Sequence, residues 1–399
     1  MQVILTIVFS PWSPYRGGAQ QSTHNIATIL ARRGHDVTVV YTKPPWEEIP
    51  VPEELPYRLE WANLYATRSK CRAHLRDLVV FSVRNKVGKL IDPDQPTIVH
   101  SNGEEGGLIH QLKKDHDFKF VFTPRFAYYP ESFYRDPVPL HKRVWHWINE
   151  RKTIMQLNAV FNADVISPPS RWAAEQHKRF GLPDERFQIV HNGVPREFLN
   201  YNRNADRAPR GPIVFFGRFT PEKGIDTLIE AIDLLKQKRD NLPPVLVVGQ
   251  GREKENYKKE IRQRGLQNDI AFKPWMTHDE LGKLLTTTRM TVLPSKEENF
   301  SLGILGSMCV GVPTISTQVG GTPEIIDSGE NGLLVPPSDP KRLSEAIATM
   351  LNQPDFAEKL GRSGAEHIRS ELTWERSVDH FEEMYEALVN GKVGAVSGA

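Results

Sequence analysis

Short apolar runs rich in valine and isoleucine recur along the chain, each bounded by glycine, proline or polar residues. Most of them are separated by longer stretches in which apolar residues recur at helical spacing. In the first half, the runs that predict strands cover residues 3–9, 36–42, 97–101, 119–123 and 164–170. Nearly continuous apolar strands that alternate with helices are typical of a parallel sheet covered on both faces.

A second series of the same kind begins near Pro212. Its predicted strands cover 212–217, 244–249, 270–272, 290–295, 313–317 and 332–336, and the stretch 225–238 predicts a helix. The polar segment 200–210 lacks periodicity and separates the two series. We therefore predict an α/β protein of two doubly wound, Rossmann-like domains that face each other across a cleft.

Composition narrows the class of protein. Of 399 residues, 39% are hydrophobic and 25% charged, which fits a globular protein with cores. A net charge of +2 argues against nucleic-acid binding through bulk charge. The sequence contains no run of 18 or more apolar residues, so no membrane-spanning helix is predicted. The first residues, MQVILTIVFS, predict a buried strand rather than a signal peptide. Cys71 and Cys309 indicate two free thiols in a reducing compartment.

Candidate anion-binding residues follow three of the predicted strands. Gly17 and Gly18, in PYRGGAQ, precede a helix whose N-terminus offers free N–H groups to an anion, although the pair can equally form a tight turn. Arg218 and Lys223, in FFGRFTPEKG, suit a diphosphate; the alternative is two solvated surface cations.

The third candidate is the stretch KEENFSLGILGSMC at 296–309. Glu298 precedes a predicted helix at 302–310, which Asn299 or Ser301 can cap. The backbone N–H groups of Phe300, Ser301 and Leu302 are free to meet phosphate while Glu298 accepts hydrogen bonds from sugar hydroxyls. A capped helix with an exposed glutamate is the alternative interpretation.

Taken in order, these segments resemble the retaining glycosyltransferases of family 4, which have the GT-B fold. The resemblance is most specific in GRFTPEKGIDTLIEAI, LPSKEENFSLGILGSM and GVPTISTQVGGTPEIIDSGENGLLVPPSDPKRLSEAI. It is moderately specific in GGAQQSTHNIATILARRGHDVTVVYT, NADVISPPS and IVHNGVP. Together these segments extend the resemblance over nearly the whole chain.

The resemblance implies that the two domains have different roles. An acceptor-side domain is expected over 1–198, a linker over 199–210 and a nucleotide-sugar donor domain over 211–375, with a C-terminal helix over 376–392 that packs back on the first domain. The implied catalytic residues are Glu298, Arg218 and Lys223. The implied donor-binding residues are Gly17, Gly18, Gly217, Lys273, Pro274, Asn299, Phe300, Ser301, Leu302 and Gly306.

Roles come with this assignment. Arg218 and Lys223 correspond to the pair that holds the donor pyrophosphate, Glu298 lies beside the transferred sugar, and Lys273 with Pro274 reads the base through the backbone. The implied reaction moves a hexose from a nucleotide-diphosphate sugar, UDP- or GDP-linked, to a glycan or lipid-linked acceptor, in cell-envelope polysaccharide or glycolipid synthesis. The resemblance further implies that the leaving phosphate deprotonates the acceptor. No cofactor, metal or nucleic acid is expected, and the implied location is cytoplasmic.

Two positions depart from the family pattern. The second family glutamate, eight residues after Glu298, is Gly306 here. This glycine has three interpretations: an inactivating change, a differently held donor, or close helix packing. Arg125 stands where many members have histidine, in a position that suits a phosphate or an acidic acceptor. A non-catalytic or inactivated GT-B protein that binds a sugar or partner is therefore the alternative function.

On the acceptor side, the candidates are Asn102, Glu104 and Arg125, whereas His100 is expected to be buried rather than catalytic. Peripheral membrane contact on the inner face of the cell membrane is a further hypothesis, based on the cations and apolar stripe of residues 68–90. Because the cations are not separated from the stripe, an ordinary domain helix is the favoured interpretation there. The segment 141–152 has the same ambiguity.

Overall fold

A computed structural model describes residues 1–12, 17–64, 76–125, 153–204, 211–239 and 241–391, with the backbone alone at 76 and 77. The chain forms two compact units. Unit 1 consists of Met1–His191 with Ser377–Ala399, and unit 2 of Asn192–Arg376. Both chain crossings between the units therefore lie outside the segment 199–210 interpreted as a linker from the sequence, and 205–210 lie outside the described residues.

Unit 1 is built on a six-stranded parallel sheet with the strand order β3-β2-β1-β4-β5-β6. The strands are β1 Gln2–Ile7, β2 Asp36–Lys43, β3 Arg58–Asn63, β4 Thr97–Ser101, β5 Lys119–Phe122 and β6 Val165–Ile166. The helices are α1 Gly18–Arg32, α2 Arg76–Gly88, α3 at 153–162 and α4 Arg171–Lys178, with a 3-10 helix at Glu104–Lys114.

Unit 2 repeats this arrangement with the order β12-β11-β10-β7-β8-β9, again parallel throughout. Its strands are β7 Ile213–Arg218, β8 Val245–Gln250, β9 Ile270–Lys273, β10 Met290–Leu293, β11 Thr314–Thr317 and β12 Leu333–Val335. Its helices are α5 Ile225–Lys236, α6 Lys254–Gln263, α7 His278–Leu285, α8 Leu302–Cys309, α9 Pro340–Asn352 and α10 Pro354–Glu371. A last helix, α11 Trp374–Val389, starts in unit 2 and continues in unit 1.

Alternating strands and helices, predicted from the apolar pattern, are confirmed. The pattern missed β3, because Arg58, Glu60 and Asn63 break its apolar run at the sheet edge. It also extended β1 too far: the strand ends at Ile7, and Phe9 has a positive φ of 61° that no strand contains.

Buried apolar side chains fill both units. Valine, isoleucine and leucine of the central strands are fully buried, as expected for sheets covered on both faces. Within the described part of the chain, no helix is long and apolar enough to cross a membrane. The segment 141–152 and residues 68–75 of the basic stretch 68–90 lie outside the described residues, so the membrane hypothesis stays untested.

Candidate functional site

Each sheet reverses its strand order at one place, between β1 and β4 in unit 1 and between β7 and β10 in unit 2. In open parallel sheets, ligands bind beyond the carboxyl ends of the strands at such a reversal, because the loops on either side diverge and leave a crevice. Most of the residues singled out from the sequence lie at the ends of these four strands or after them, whereas Lys273 and Pro274 lie at the end of β9 and Arg125 follows β5. We describe each reversal by itself.

The unit 2 reversal brings Lys223 and Glu298 together. Lys223 Nζ lies 2.6 Å from Glu298 Oε2, and the two side chains are 19% and 15% exposed. Lys223 ends a short 3-10 helix after β7, and Glu298 follows β10, the neighbouring strand. The structure thus joins a cation and a carboxylate that are 75 residues apart in the chain.

A glycine makes this approach feasible. Gly224, directly after Lys223, has a φ of 67°, and a Cβ at this position would lie 1.9 Å from the carbonyl oxygen of Pro294. Only glycine fits both the backbone conformation and the space. The loop after β7 therefore lies directly against the segment after β10.

A second ion pair fastens the same two loops. Lys296 Nζ lies 2.5 Å from Asp226 Oδ2, and the Lys296 backbone N–H donates to the Glu222 carbonyl oxygen at 2.8 Å. The sequence analysis did not find this pair, because the contact depends on the tertiary approach of two loops. Its effect is to hold Lys223 and Glu298 in register.

Arg218 is the more exposed of the two predicted diphosphate ligands. Its side chain is 65% exposed, and its Nη2 atom lies 4.0 Å from Glu222 Oε1. Burial acts to raise the pKa of Glu222, but a backbone hydrogen bond, the Thr220 hydroxyl and the two nearby cations lower it overall. The guanidinium of Arg218 is therefore accessible from solvent beside a carboxylate that stays ionised.

Helix α8 begins close to Glu298. Ser301 is its N-cap, and its Oγ accepts from the Ile304 N–H at 3.4 Å, so the cap is Ser301 rather than Asn299. Phe300 is buried in the core, whereas Ser301 and Leu302 are half-buried. The N-terminus of α8, which carries a partial positive charge, thus follows Glu298 closely in the chain.

Gly217 lies on β7 and Lys273 on β9, both on the side of the reversal away from β10. Gly217 pairs with Gly249 of β8, where a Cβ on Gly249 would lie 1.9 Å from the Gly217 carbonyl oxygen. Lys273 and Pro274 are exposed at the end of β9. Since β9 is two strands from β7, and adjacent strands are about 4.8 Å apart, Lys273 lies roughly 10 Å from the β7 axis.

Gly306 faces the core of unit 2. It is buried, and a Cβ there would lie 2.7 Å from Cε2 of Phe198, whose ring is 1% exposed. Of the three interpretations in the sequence analysis, close packing is the one with direct structural support. The absence of a carboxylate at 306 is thus matched by an aromatic ring that occupies the adjacent space.

At the unit 1 reversal, α1 starts at Gly18 with Gly17 as N-cap, so Gly18 belongs to the helix rather than preceding it. Both glycines are exposed. The Gly17 N–H donates to Gln20 Oε1 at 2.8 Å, and Gln20 Nε2 donates to the Val8 carbonyl oxygen at 2.7 Å. Gln20 therefore holds the start of the helix against the end of β1.

A buried polar group lies between β1 and β4. Thr6 Oγ1 lies 2.8 Å from Ser101 Oγ and 3.1 Å from Glu105 Oε1, and the Asn102 N–H donates to the same carboxylate oxygen at 3.1 Å. Glu105 is 0% exposed. Its neighbour Glu104, the predicted candidate, is half-buried. Sequence alone does not distinguish the two adjacent glutamates.

Arg125 is held by Asn102. Its Nε and Nη2 atoms donate to Asn102 Oδ1 at 3.1 and 2.7 Å. Two of the three acceptor-side candidates, Asn102 and Arg125, are therefore in direct contact.

His100, predicted to be buried, is 0% exposed. Its Nδ1 lies 2.6 Å from the Tyr385 hydroxyl, and its Nε2 lies 2.7 Å from Thr123 Oγ1. Burial and the nearby Arg125 charge lower the pKa of His100 to about 3. The imidazole is therefore neutral and serves the packing of the unit.

Burial also shifts the other ionisable groups here. It raises the pKa of Glu105 to about 8, with a smaller contribution from the Glu104 charge, against the hydrogen bonds that favour the ionised form. Burial lowers the pKa of Arg125 to about 10, still well above neutrality. At pH 7, therefore, the guanidinium of Arg125 is cationic, whereas the carboxyl group of Glu105 is mostly protonated.

Comparison with protein families gives two matches that share the chain. The family model described as glycosyl transferases group 1 matches residues 203–367, and the model of glycosyltransferase family 4 matches residues 16–198. The protein is a glycosyltransferase.

Relatives of this glycosyltransferase carry the same activity in their names. An uncharacterized glycosyltransferase of Methanocaldococcus jannaschii is 22% identical over 90% of this chain and 91% of its own. A D-inositol 3-phosphate glycosyltransferase of Jonesia denitrificans is 27% identical, but the match covers 56% of this chain and 57% of the relative. Matches of this second kind span only about half of either protein.

Solved structures show the fold. Sucrose-phosphate synthase from Thermosynechococcus elongatus superposes with a TM-score of 0.80 at 21% identity, covering 98% of this glycosyltransferase and 100% of that chain. HepE of Anabaena, in complex with UDP and glucose, has a TM-score of 0.72 at 17% identity over 97% and 100% of the two chains. The fold of the glycosyltransferase is GT-B.

Proposed function

We propose that the protein transfers a hexose from a nucleotide-diphosphate sugar to a glycan or lipid-linked acceptor, with retention at the anomeric carbon. The observation that carries this proposal is the contact of Lys223 with Glu298 at the β7/β10 reversal, with Arg218 exposed nearby. Two cations suit a diphosphate, and a carboxylate suits sugar hydroxyls. Gly17 and Gly18, with Asn102 and Arg125, are assigned to the donor phosphate and the acceptor.

The chemistry needs little beyond these groups. The bond from the anomeric carbon to the phosphate oxygen breaks, the acceptor oxygen forms the new bond, and the leaving phosphate takes the acceptor proton. Lys223 and Arg218 stabilise the charge that develops on the diphosphate, and fixed cations do so without reorganisation. The UDP bound by HepE favours a uridine nucleotide as the first candidate to test. Synthesis of cell-envelope polysaccharide or glycolipid is the proposed role.

Calorimetric titration with UDP, GDP and ADP tests the donor site. We expect the wild-type protein to bind one of them with a micromolar Kd. Arg218→Ala and Lys223→Ala should each weaken that binding about 10- to 100-fold, since a hydrogen bond to a charged group contributes about 1.5–3 kcal/mol. Both variants should also lose transfer.

Arg342→Ala is the matched control. Its side chain is also 65% exposed and also has one surface carboxylate partner, Glu345, on α9. Its Kd should stay within twofold of the wild type. Wild-type affinity in either Arg218→Ala or Lys223→Ala would remove the basis of the proposal.

A second candidate is a GT-B protein that binds a sugar or partner without transfer, and Gly306 favours it. Because Phe198 occupies the space beside Gly306, Gly306→Glu has to be tested together with Phe198→Ala. If nucleotide binds to the double variant, but not to the wild type or to Phe198→Ala alone, the donor site has been silenced at 306. Micromolar nucleotide binding by the wild type excludes a donor site silenced at 306, and sugar transfer by the wild type excludes this candidate altogether.

A further inference from the structure

Glu105 is the least expected side chain in unit 1. It is fully buried, and its Oε2 atom has no hydrogen-bond partner among the described residues. A buried carboxylate oxygen without a partner is costly, whereas a carboxylic acid is tolerated far better. Among the described residues, no cationic side chain contacts this carboxyl group directly. No ion pair therefore compensates for the cost of ionising Glu105.

The backbone around Glu105 is shaped to admit its carboxyl group. A Cβ on Gly103 would lie 2.7 Å from Glu105 Oε2, so any other residue at 103 would require the carboxyl group to move. Gly106 lies equally close to Ser101, where a Cβ would be 2.6 Å from the serine Cβ. Two glycines thus let the turn after β4 close over the side chain.

This closed turn carries Asn102. Glu105 Oε1 accepts from the Asn102 N–H, and Asn102 Oδ1 accepts from two nitrogens of Arg125. The carboxyl group and the guanidinium are therefore joined through one amide residue. Displacement of the turn would displace the acceptor atom that orients Arg125.

We propose that Glu105 is a positioning residue, which as a neutral carboxylic acid holds the turn 101–105 and thereby fixes the Asn102 amide that orients Arg125. The proposal rests on the proposed function, because it makes Arg125 the oriented cation for an acceptor that carries a phosphate or carboxylate. Glu105 itself touches no substrate; it acts through Asn102.

Most of the charged and titratable groups around Glu105 agree with a neutral acid, and Arg125, whose charge attracts an ionised Glu105, is the exception. In the described residues they are Glu104 on the same 3-10 helix, Arg125 after β5, and His100 on β4, with Tyr385 of α11 beyond it. His100 and Tyr385 are neutral at pH 7, and the charge of Glu104 opposes a second carboxylate. The pKa of about 8 for Glu105 is consistent with this setting.

Solvent exchange of the Arg125 Nε–H tests the orientation directly. Its signal in arginine-labelled protein is assigned by its loss in Arg125→Lys. We expect slow exchange in the wild type and in Glu105→Gln at pH 7, and at least tenfold faster exchange in Glu105→Ala. Above pH 8, exchange in the wild type should accelerate more steeply than in Glu105→Gln, because only the wild type ionises there. Glu104→Gln is the matched control and should resemble the wild type.

Two outcomes would overturn the proposal: equal exchange in Glu105→Ala and the wild type, or equally fast exchange in Glu105→Gln and Glu105→Ala. If Glu105→Ala does not fold, the comparison of wild type and Glu105→Gln across pH 8 decides. With an acceptor in hand, Glu105→Ala should raise its KM at least tenfold and leave the Kd of UDP unchanged. A wild type that transfers nothing counts against the proposed function, while the exchange rates still decide the role of Glu105.

Discussion

Glu105 links solution pH to the stability of unit 1. The pKa of its carboxyl group is about 8 in the folded protein and near 4.5 in an unfolded chain. As the pH rises from 4.5 to 8, the unfolded state ionises while the folded state keeps its proton. The contribution of Glu105 to the free energy of unfolding is therefore largest below pH 4.5. It decreases between pH 4.5 and 8 and is constant above pH 8.

We predict that Glu105→Gln removes this dependence. The free energy of unfolding, measured with urea at pH 5, 6.5 and 8, should fall with pH more steeply in the wild type than in the variant. The difference in slope should approach about 1.4 kcal/mol per pH unit, since one proton distinguishes the states. Glu104→Gln should follow the wild type. Parallel curves for wild type and Glu105→Gln would show that Glu105 is ionised in the folded protein.

Sequence reasoning reached part of this residue-level description. It named Lys223 and Glu298 from motifs, and the structure places the two side chains in contact. It named Glu104 and not Glu105, because burial at the end of a strand depends on which side chain the turn directs inward. It also missed Lys296 and Asp226, whose contact depends on the tertiary approach of two loops.

At the scale of elements, α8 packs closely against the 3-10 helix Arg196–Asn200. The contact is made by Gly306 and the ring of Phe198, with no room for a Cβ between them. Glycine in a helix interior costs about 1 kcal/mol relative to alanine, so this glycine would be unfavourable if α8 were isolated. Packing offsets that cost.

We predict that Gly306→Ala destabilises the protein despite its better helix propensity. Overpacking a buried site costs about 1–3 kcal/mol, more than the propensity gain. Thermal unfolding of a double-mutant cycle with Phe198→Leu checks the cause. The loss should shrink in the Phe198→Leu background, where the ring is absent. If Gly306→Ala raises the melting temperature instead, the helix is not constrained by this contact.

Element types were predictable, because an apolar strand followed by an amphipathic helix leaves a clear periodicity. The first and last residues of the elements were less predictable. The prediction missed β3 because an edge strand tolerates polar residues such as Arg58 and Glu60. It extended β1 too far because Phe9 is apolar but has a left-handed backbone conformation. The Gly306 contact was equally beyond the sequence, since Phe198 is 108 positions away in the chain.

At the scale of the whole molecule, unit 1 is assembled from the first and the last parts of the chain. Phe381 and Tyr385 of α11 are buried, and both rings contact His100. Arg33 forms an ion pair with Glu382 on the same helix, and His35 Nε2 lies 2.8 Å from Glu382 Oε1. Residues 377–391 are consequently an integral part of this unit.

We predict that Tyr385→Phe lowers the free energy of unfolding by about 1–3 kcal/mol. Without the hydroxyl, His100 Nδ1 loses its 2.6 Å partner in a fully buried site. Tyr201→Phe is the control, because its hydroxyl bonds to Asp279 at the exposed surface of unit 2 and its loss should change stability by less than about 0.5 kcal/mol. Equal effects in the two variants would show that α11 contributes little through His100.

The split composition of unit 1 also has a consequence for biosynthesis. Translation completes residues 1–191 early, yet the unit lacks α11 until the ribosome has made the 185 residues from 192 to 376 and then the helix itself. At 5–20 residues per second, that delay is roughly 10–40 s. Unit 2 is continuous, so it is the first unit that can finish folding on the ribosome. Until α11 has been made, residues of unit 1 that pack against it, such as His100, lack their partners on that helix.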